Sequence, residues 1–320
     1  MLRRIIIALV LLTAFIWANN TSLLIRQKSV AEPRLLSHRG VHQIFAGDTV
    51  LNDTCTANPV QPIEHSFIEN TIPSMRAAFD AGADVVEIDV HLTPDNVFAV
   101  FHDWMVDCRT NGTGQTNTIP FADLQMLDAA YRYSADGETF PLRGSGVGLI
   151  PSLTDVLDSF PNRQFLINFK SNRRSEGRAL IALLEHAEHQ SQVFGVYGGQ
   201  TPTQVVVQQL DGMRGFDWGS VKDCLVRYEV LSWTGYMPQA CRNQIIAVPI
   251  NYAPFLWGWP QRFQERMAAH NTEVILVGPY TGGRRVVGID TPELLNRVPD
   301  GFSGYLWTNE IDQIRSCQNP

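Results

Sequence analysis

The stretch "VVEIDVHLTPDNVFAVFHD", residues 85–103, decides how this chain is read. Two apolar runs flank Pro94-Asp95-Asn96, a turn signal. Val85, Val86, Ile88 and Val90 leave no polar face, the pattern of a strand buried on both sides in a parallel sheet. Glu87 and Asp89 interrupt that pattern. Two apart on a strand, they project to one face, ~6–7 Å apart along it. Burying both costs several kcal/mol unless cations or donors compensate. A two-residue loop at Asp95–Asn96 suits a tight hairpin. That register sets Asp89 opposite His102, on one face of the sheet, and His91 opposite Val100. A slip of one residue would send His102 to the other face.

Upstream, "LLSHRGVHQ", residues 35–43, reads as a strand that ends on His38 and Arg39, with Gly40 turning the backbone away. If this strand neighbours the one bearing Glu87 and Asp89, one mouth holds two imidazoles, two carboxylates and a guanidinium. A hard divalent cation, Mg²⁺ or Ca²⁺, suits the carboxylates. Two histidines either side of a scissile bond serve as general base and general acid. Arg39 offers a forked donor to an anion. Phosphate is the natural ligand of such a set. Taken singly, His-Arg-Gly is a common surface turn and Glu-x-Asp a common edge pair; their combination carries the reading.

Strand-like runs at Arg34–Ser37, Asp84–His91, Val97–His102, Gln164–Phe169, Val193–Tyr197, Ile245–Ile250, Glu273–Val277 and Gly304–Trp307 alternate with helical segments. The latter are Asn70–Ala81 (capped by Asn70 or Thr71), Ser152–Ser159, Glu176–His189, Gln261–His270 and Thr291–Val298. This alternation predicts one (β/α)₈ TIM barrel, with an open doubly wound sheet as the alternative. No internal repeat is visible. The only linker is Gln27–Glu32, and the barrel domain is expected over 33–316.

The 320 residues are 44% hydrophobic and 18% charged, a folded globular composition. A net charge of −7 argues against nucleic acid as a partner. Arg3 and Arg4 precede fourteen uncharged residues, Ile5–Ala18. Residues 1–26 read either as a cleaved secretory signal or as an anchor running Ile5–Ile25, near the ~20 residues a bilayer core needs. No small-x-small cleavage site is evident, which favours the anchor. Both readings export the rest and keep the arginines cytoplasmic. The domain would face the periplasm or the extracellular side, or be cleaved and secreted. Five cysteines suit an oxidising compartment. Cys224–Cys241 would close a short loop, worth ~3 kcal/mol, and Cys55–Cys108 would tie two long loops. Cys317 is then left over. The alternative is that all are small buried hydrophobes, and the pairing stays open.

Together these residues resemble the glycerophosphodiester phosphodiesterases, TIM-barrel enzymes of the phosphatidylinositol-phosphodiesterase-like superfamily. The resemblance rests on His38-Arg39-Gly40, Glu69-Asn70-Thr71, Gly82-Ala83-Asp84, Glu87-Ile88-Asp89-Val90, His102-Asp103, Arg109-Thr110, Pro151-Ser152-Leu153, Lys170 and Trp307-Thr308-Asn309. It spans residues 34–310. It implies metal-dependent hydrolysis of a glycerophosphodiester to glycerol 3-phosphate and an alcohol, by water or through a cyclic phosphate. His38 and His102 take the acid–base roles. Arg39, Lys170, Glu69 and Trp307 fall to phosphate and substrate, and Asn70 caps a helix behind. Glu87 and Asp89 become ligands of one divalent ion, Mg²⁺ or Ca²⁺. The family usually has a third acid two residues before the lysine; here "LINFKSN" puts Asn168 there. An amide oxygen ligates such ions without charge, so weaker metal binding is expected, with Asn168 as neutral ligand or Glu69 compensating.

Residues 41–68 form a long insertion leaving the expected catalytic face, read as a lid that Cys55–Cys108 could pin, with a disordered insertion as the alternative. "PINYAPFLWGWPQRF", residues 249–263, gathers Tyr252, Phe255, Trp257, Trp259 and Phe263. It reads as loop core or as an apolar wall for an acyl chain. Hence an alternative of lysophospholipase D-like or sphingomyelinase D-like activity on a lipid, and another of a weakened barrel that only binds phosphodiesters. Among the other histidines, His42 and His65 in the insertion are within reach of the site, His91 either joins the mouth or hydrogen-bonds a neighbour, and His186, His189 and His270 are expected on surface helices.

Overall fold

Continuous apolar runs that leave no polar face must be covered on both sides, and here they line up side by side. The structure, a computed structural model, describes residues 1–23, 25, 32–47, 54–187, 189–282 and 286–318, without the side chains of 186, 187 and 315–318. Strand β1 (Arg34–His38) lies between β2 (Val85–Leu92) and β9 (Tyr305–Thr308), parallel to both, with His38 opposite Glu87. Beyond β2 come β4 (Gln164–Phe169), β5 (Val193–Gly198) and β6 (Gly215–Phe216). Beyond β9 come β8 (Glu273–Val277) and β7 (Ile245–Pro249). The order β6-β5-β4-β2-β1-β9-β8-β7 is a TIM barrel whose ladder is open only between β6 and β7. Leu36, Val85, Leu166, Phe194, Ile245, Ile275 and Tyr305 fill its interior as one buried cluster. The opposite faces of the strands pack with the surrounding helices into the main core.

The segment Val97–His102 is not a barrel strand. Only Phe98–Val100 (β3) pairs, antiparallel to β2 and off the barrel path. The missing barrel strand is β6, two residues whose Gly215 gives no strand signal. The hairpin register differs by one residue from the expected one, pairing Val90 with Val100, His91 with Ala99 and Leu92 with Phe98. The loop is three residues long, not two. Thr93 and Val97 close it: the Thr93 N–H donates to the Val97 carbonyl at 2.9 Å, and the Val97 N–H to Thr93 Oγ1 at 3.1 Å. Asn96, at φ 61°, takes the left-handed position such loops need. His102 therefore does not pair with Asp89; the ladder ends at Val100, and one last bond, Phe101 N–H to the Asp89 carbonyl (3.0 Å), releases the chain.

Helix Ile72–Asp80 is capped by Thr71, which accepts from the Ser74 N–H, so Asn70 is not the cap. A Ser152/Asp155 capping box starts the helix Leu153–Ser159, and Asp217/Ser220 starts Trp218–Leu231. Helices Gln200–Gln209, Trp218–Leu231 and Ile311–Gln318 carry no strong sequence signal; the first runs through Val205-Val206-Val207, poor helix formers held there by burial of Val205 and Val206. The insertion 41–68 is folded in its described part. Val41, Ala57, Val60 and Ile68 are buried, and Ala57, Val60 and Ile68 share a second core with Phe101, Val106, Leu124, Tyr133 and Ile150. The disulfides Cys55–Cys108 and Cys224–Cys241 both form. Cys317, like His186, lies outside the described side chains. The N-terminal helix runs Leu2–Asn20 with no buried residue and ends there, five residues short of Ile25, with Thr21 extended.

Candidate active site

Parallel strands end together, so β1, β2, β4 and β9 deliver His38, Asp89, Asn168 and Thr308 to one mouth. Arg39 follows β1 in the left-handed region (φ 60°), then Gly40 at φ 81°. A Cβ on Gly40 would sit 2.1 Å from Ser74 Oγ and 2.8 Å from the Ser74 backbone, so glycine is required for helix 72–80 to close against the turn.

His38 places its Nδ1 2.6 Å from Asn309 Oδ1. Asn309 in turn donates from Nδ2 to Asp290 Oδ2 at 2.6 Å and from its backbone N–H to Asp290 Oδ1 at 2.7 Å. A carboxylate only accepts, which fixes the amide: Asn309 Oδ1 is the acceptor, so His38 carries its proton on Nδ1. The lone pair on Nε2 faces Glu87 Oε2 at 3.7 Å. Burial, and then the Arg39 charge, hold the His38 pKa well below that of a free imidazole. Trp307, almost wholly buried, packs its ring 5.0 Å from that of His38.

His102 mirrors this arrangement. Its Nδ1 lies 2.6 Å from Asp103 Oδ1. Arg109 grips Asp103 through Nε (2.5 Å) and Nη2 (3.0 Å), and also meets Glu69 Oε2 at 2.8 Å, Thr56 and Tyr133. Burial lowers the His102 pKa to about 4, reinforced by Arg39 and Lys170 and opposed by Asp89 and Asp103. Burial disfavours the Asp103 carboxylate, but Arg109 overrides it and holds the group ionised. His91 lies behind, its Nε2 3.3 Å from the His102 carbonyl.

Between the histidines sits the acid pair. Asp89 is wholly buried and surrounded by donors. Asn70 Nδ2 donates to Oδ2 at 3.0 Å, and Asn168 Nδ2 to Oδ1 at 2.8 Å. Arg39 Nε lies 3.0 Å from Oδ2 and Lys170 Nζ 3.4 Å from Oδ1. Desolvation would raise its pKa, yet Lys170 and Arg39 carry it well below the usual carboxylate range. Glu87 differs. Burial and the neighbouring Asp89 push it up to about 8; Tyr197 donates to Oε1 at 2.6 Å, while the buried Oε2 has no partner. Glu69, bridged by Arg39 (3.0 Å) and Arg109 (2.8 Å), is held ionised at about 2 against its burial.

All nine residues singled out from the sequence reach this mouth or its wall. Sequence reading missed Asn309, itself held by Asp290, as partner of His38; Asp103, itself held by Arg109, as partner of His102; Tyr197 on Glu87; and Asn70 on Asp89. His102, Asp103 and Arg109 are near neighbours in the chain and so a local signal; the other pairs are joined across 19 or more residues. His42 is at the edge, its ring 6.1 Å from that of His38, whereas His65 bonds Gln43. His189 pairs with Asp158, and His270 donates locally from Nδ1 to the Arg266 carbonyl.

The hard-oxygen set Glu87, Asp89 and Asn168 fits a divalent cation in one respect: Glu87 Oε2 is a buried oxygen without a partner, where a cation would satisfy it. In another respect it resists. Asp89 has four donors around two oxygens, and Asn168 turns its NH₂, not its oxygen, toward Asp89. Among the described residues no group of three His, Cys, Asp or Glu side chains is arranged to hold a metal.

A (β/α)₈ barrel with two oriented imidazoles, buried acids and the paired cations Arg39 and Lys170 at its mouth has groups that can exchange protons with, and bind, an anionic substrate. The family model described as "Glycerophosphoryl diester phosphodiesterase family" matches residues 56–213. A glycerophosphodiester phosphodiesterase of Bacillus subtilis (strain 168) is 33% identical over 254 residues, covering 73% of this chain and 83% of that protein. One from Caldanaerobacter subterraneus is 35% identical over 102 residues, 32% of this chain and 39% of that relative's length. A solved Oleispira antarctica phosphodiesterase, in complex with the product sn-glycerol-3-phosphate, superposes with a TM-score of 0.54 at 17% identity, over 90% of this chain and 97% of that one. The chain belongs to the glycerophosphodiester phosphodiesterase family, and so to the phosphoric diester hydrolases.

Proposed function

We propose that this chain hydrolyses glycerophosphodiesters to glycerol 3-phosphate and an alcohol, with His38 and His102 as paired base and acid. The observation that carries the reading is the matched tethering of the two imidazoles. Each has Nδ1 tied to a side-chain acceptor, Asn309 for His38 and Asp103 for His102, which leaves both Nε2 atoms for the reacting oxygens. His38 Nε2 takes a proton from the attacking oxygen as the new P–O bond forms; that oxygen is either water's, which gives glycerol 3-phosphate directly, or a glycerol hydroxyl's, which gives a cyclic phosphate that water then opens. His102, charged in the complex and stabilised by Asp103, gives a proton to the leaving oxygen as the old P–O bond breaks. Lys170 and Arg39 pair with the phosphate oxygens, where charge grows in the transition state. Glu69 orients Arg39 and offers an acceptor to glycerol hydroxyls. Trp307 forms the floor under His38.

A divalent cation, Mg²⁺ or Ca²⁺, would be held by Glu87 through Oε2 with Asp89 and Asn168. When bound it supplies Lewis-acid stabilisation of the phosphoryl oxygens. We assign the catalytic domain to 33–316, and the insertion 41–68 to a fixed wall of the mouth, since its described part is pinned by Cys55–Cys108 and a core of its own. Residues 1–26 serve export, with the domain outside the cytoplasmic membrane, a setting in which two disulfides persist. A lipid diester is the second reading. It is favoured by Trp218, exposed at the start of helix 218–231 after β6, and by Tyr252 and Phe255, exposed on the loop after β7, whereas Phe263 of the 249–263 run is core.

The test is a coupled assay of glycerol 3-phosphate release from glycerophosphocholine and glycerophosphoethanolamine, with choline release as the readout for lysophosphatidylcholine, whose other product is lysophosphatidate. Release that disappears in both His38→Ala and His102→Ala is expected. A barrel that binds these diesters but frees no glycerol 3-phosphate would sink the reading.

A further inference from the structure

The end of the N-terminal helix is gripped by the barrel. Asn19 Nδ2 and Asn20 Nδ2 both donate to the Trp233 carbonyl, at 3.1 and 2.9 Å. Arg266, a buried residue of helix Gln261–Ala268, answers with two more bonds: Nη2 to the Asn19 carbonyl at 2.9 Å and Nη1 to Asn20 Oδ1 at 3.1 Å. The Asn19 carbonyl is among the last four of its helix, which have no intrahelical donor. A guanidinium there also meets the negative end of the helix dipole. The same guanidinium binds Tyr228 Oη and the Ser232 carbonyl, so the socket is part of the barrel's own packing. Gly235, at φ 87°, lies against Asn19; a Cβ there would come within 2.9 Å of its amide.

The socket lies at the end of the barrel away from the mouth. Helix 218–231 follows β6 and must run back against the strand direction to feed β7, as crossover helices do. Its C-terminal end, and the last turn of helix 261–268 that carries Arg266, therefore sit at the N-terminal face. Its 14 residues place that end ~21 Å from the mouth-side start. The surface there carries exposed apolar side chains beside the Arg227–Asp223 ion pair and Glu229. Leu231 and Tyr236, 41% and 52% exposed, flank Trp233. Val230 and Val226, 63% and 54% exposed, follow at a spacing of four along helix 218–231, on one side of it. Trp17 is exposed in the last turn of the N-terminal helix. Tryptophan and tyrosine at the end of a spanning helix mark the membrane–water interface. The uncharged run Ile5–Ala18 measures ~21 Å as a helix, shorter than a hydrocarbon core of ~30 Å. Such a helix draws its ends, and whatever is locked to them, toward the bilayer.

We propose that residues 1–20 stay attached as a membrane anchor locked to the N-terminal face of the barrel, seating Val226, Val230, Leu231 and Tyr236 on the lipid surface and turning the catalytic mouth to water. Resting on the diesterase reading of the mouth, the substrate is then a water-soluble headgroup diester, not a lipid still held in the same bilayer. The exposed aromatics after β6 and β7 point away from the membrane and do not serve as an entry ramp. Cleavage after residue 20 would strip two bonds from buried Arg266 and leave the patch bare.

The test uses the full chain, with Cys317→Ser, reconstituted in phosphatidylcholine–phosphatidylglycerol vesicles. The intact mass of membrane-extracted protein should include residues 1–20. A nitroxide at Val230→Cys should be accessible to oxygen and shielded from a water-soluble nickel chelate; one at Phe255→Cys, exposed on the loop after β7, should show the reverse. Asn19→Ala with Asn20→Ala, which leaves the barrel untouched, should keep the protein in the membrane yet move the Val230 label toward water. Bulk glycerophosphocholine should be turned over at least about tenfold faster than lysophosphatidylcholine placed in the same vesicles. A mass lacking the helix, or an intact protein with a water-exposed Val230 label, overturns the proposal. Labels as expected without turnover of any diester would refute the reading of the mouth and leave the seating standing.

Discussion

Replacing Asn309 by alanine tests whether His38 owes its basic Nε2 to a relay. Among the described residues Asn309 Oδ1 is the one hydrogen-bond partner of His38 Nδ1, at 2.6 Å, and Asp290 holds the amide in that orientation. A hydrogen bond of this kind contributes about 0.5–1.5 kcal/mol net. At ~1.4 kcal/mol per factor of ten, Asn309→Ala should lower kcat about 2- to 13-fold. KM should stay nearly constant, because the amide faces the imidazole and Asp290. Asp290→Ala should act through the same amide, so the double variant should be little worse than Asn309→Ala alone, a non-additive pair. The pH profile gives a second reading. Burial and Arg39 hold the His38 pKa low, and the Asn309 bond works against them. Removing that bond lowers the pKa further. The base must be neutral, so the acid limb of kcat/KM moves to lower pH. Steady-state glycerol 3-phosphate release from pH 4 to 9 checks both. An unchanged kcat, losses that multiply in the double variant, or an acid limb displaced upward would refute the relay.

Asp103→Asn should cost roughly 10²–10⁴-fold in kcat/KM, as loss of an orienting carboxylate does; an amide cannot serve both His102 and the Arg109 fork without one donor facing another, and near-normal turnover would count against the pairing. Calorimetric titration with Mg²⁺ or Ca²⁺ should show weak binding, with a Kd on the order of 10⁻⁴ M or above, because Asn168 adds no charge and Asp89 is already occupied. Asn168→Glu should tighten it at least about tenfold, and an unaltered isotherm would remove residue 168 from the metal site. Gly40→Ala should destabilise the fold by ~1–3 kcal/mol from backbone strain, with further cost from the Ser74 overlap, read as a lower urea midpoint; an unchanged midpoint contradicts the close approach at that turn.

What the sequence carries about this site is what a few neighbouring residues can carry. Period and composition mark β1, β2 and β4 because each is a run of branched apolar residues long enough to show a pattern. The same reasoning fails at Gly215–Phe216, where two residues suffice for a barrel strand because neighbouring strands supply the ladder. It also fails by one residue in the hairpin after Leu92: the choice between a two- and a three-residue loop rests on the backbone bonds between Thr93 and Val97 and the left-handed Asn96. That slip spares the site, since His102 leaves the ladder before register matters and is aimed by Asp103 instead. The acid pair shows the limit most clearly. Glu87 and Asp89 announce that something must offset their burial, but nothing local says what. The structure answers unequally. Asp89 is compensated by two cations and two amides that arrive from β1, β4 and the turn before helix 72–80. Glu87 receives one phenol and stays protonated to about pH 8. Such partners lie 19 to 110 residues away in the chain, so a single sequence shows the debt of each carboxylate and only the assembled barrel shows how it is met.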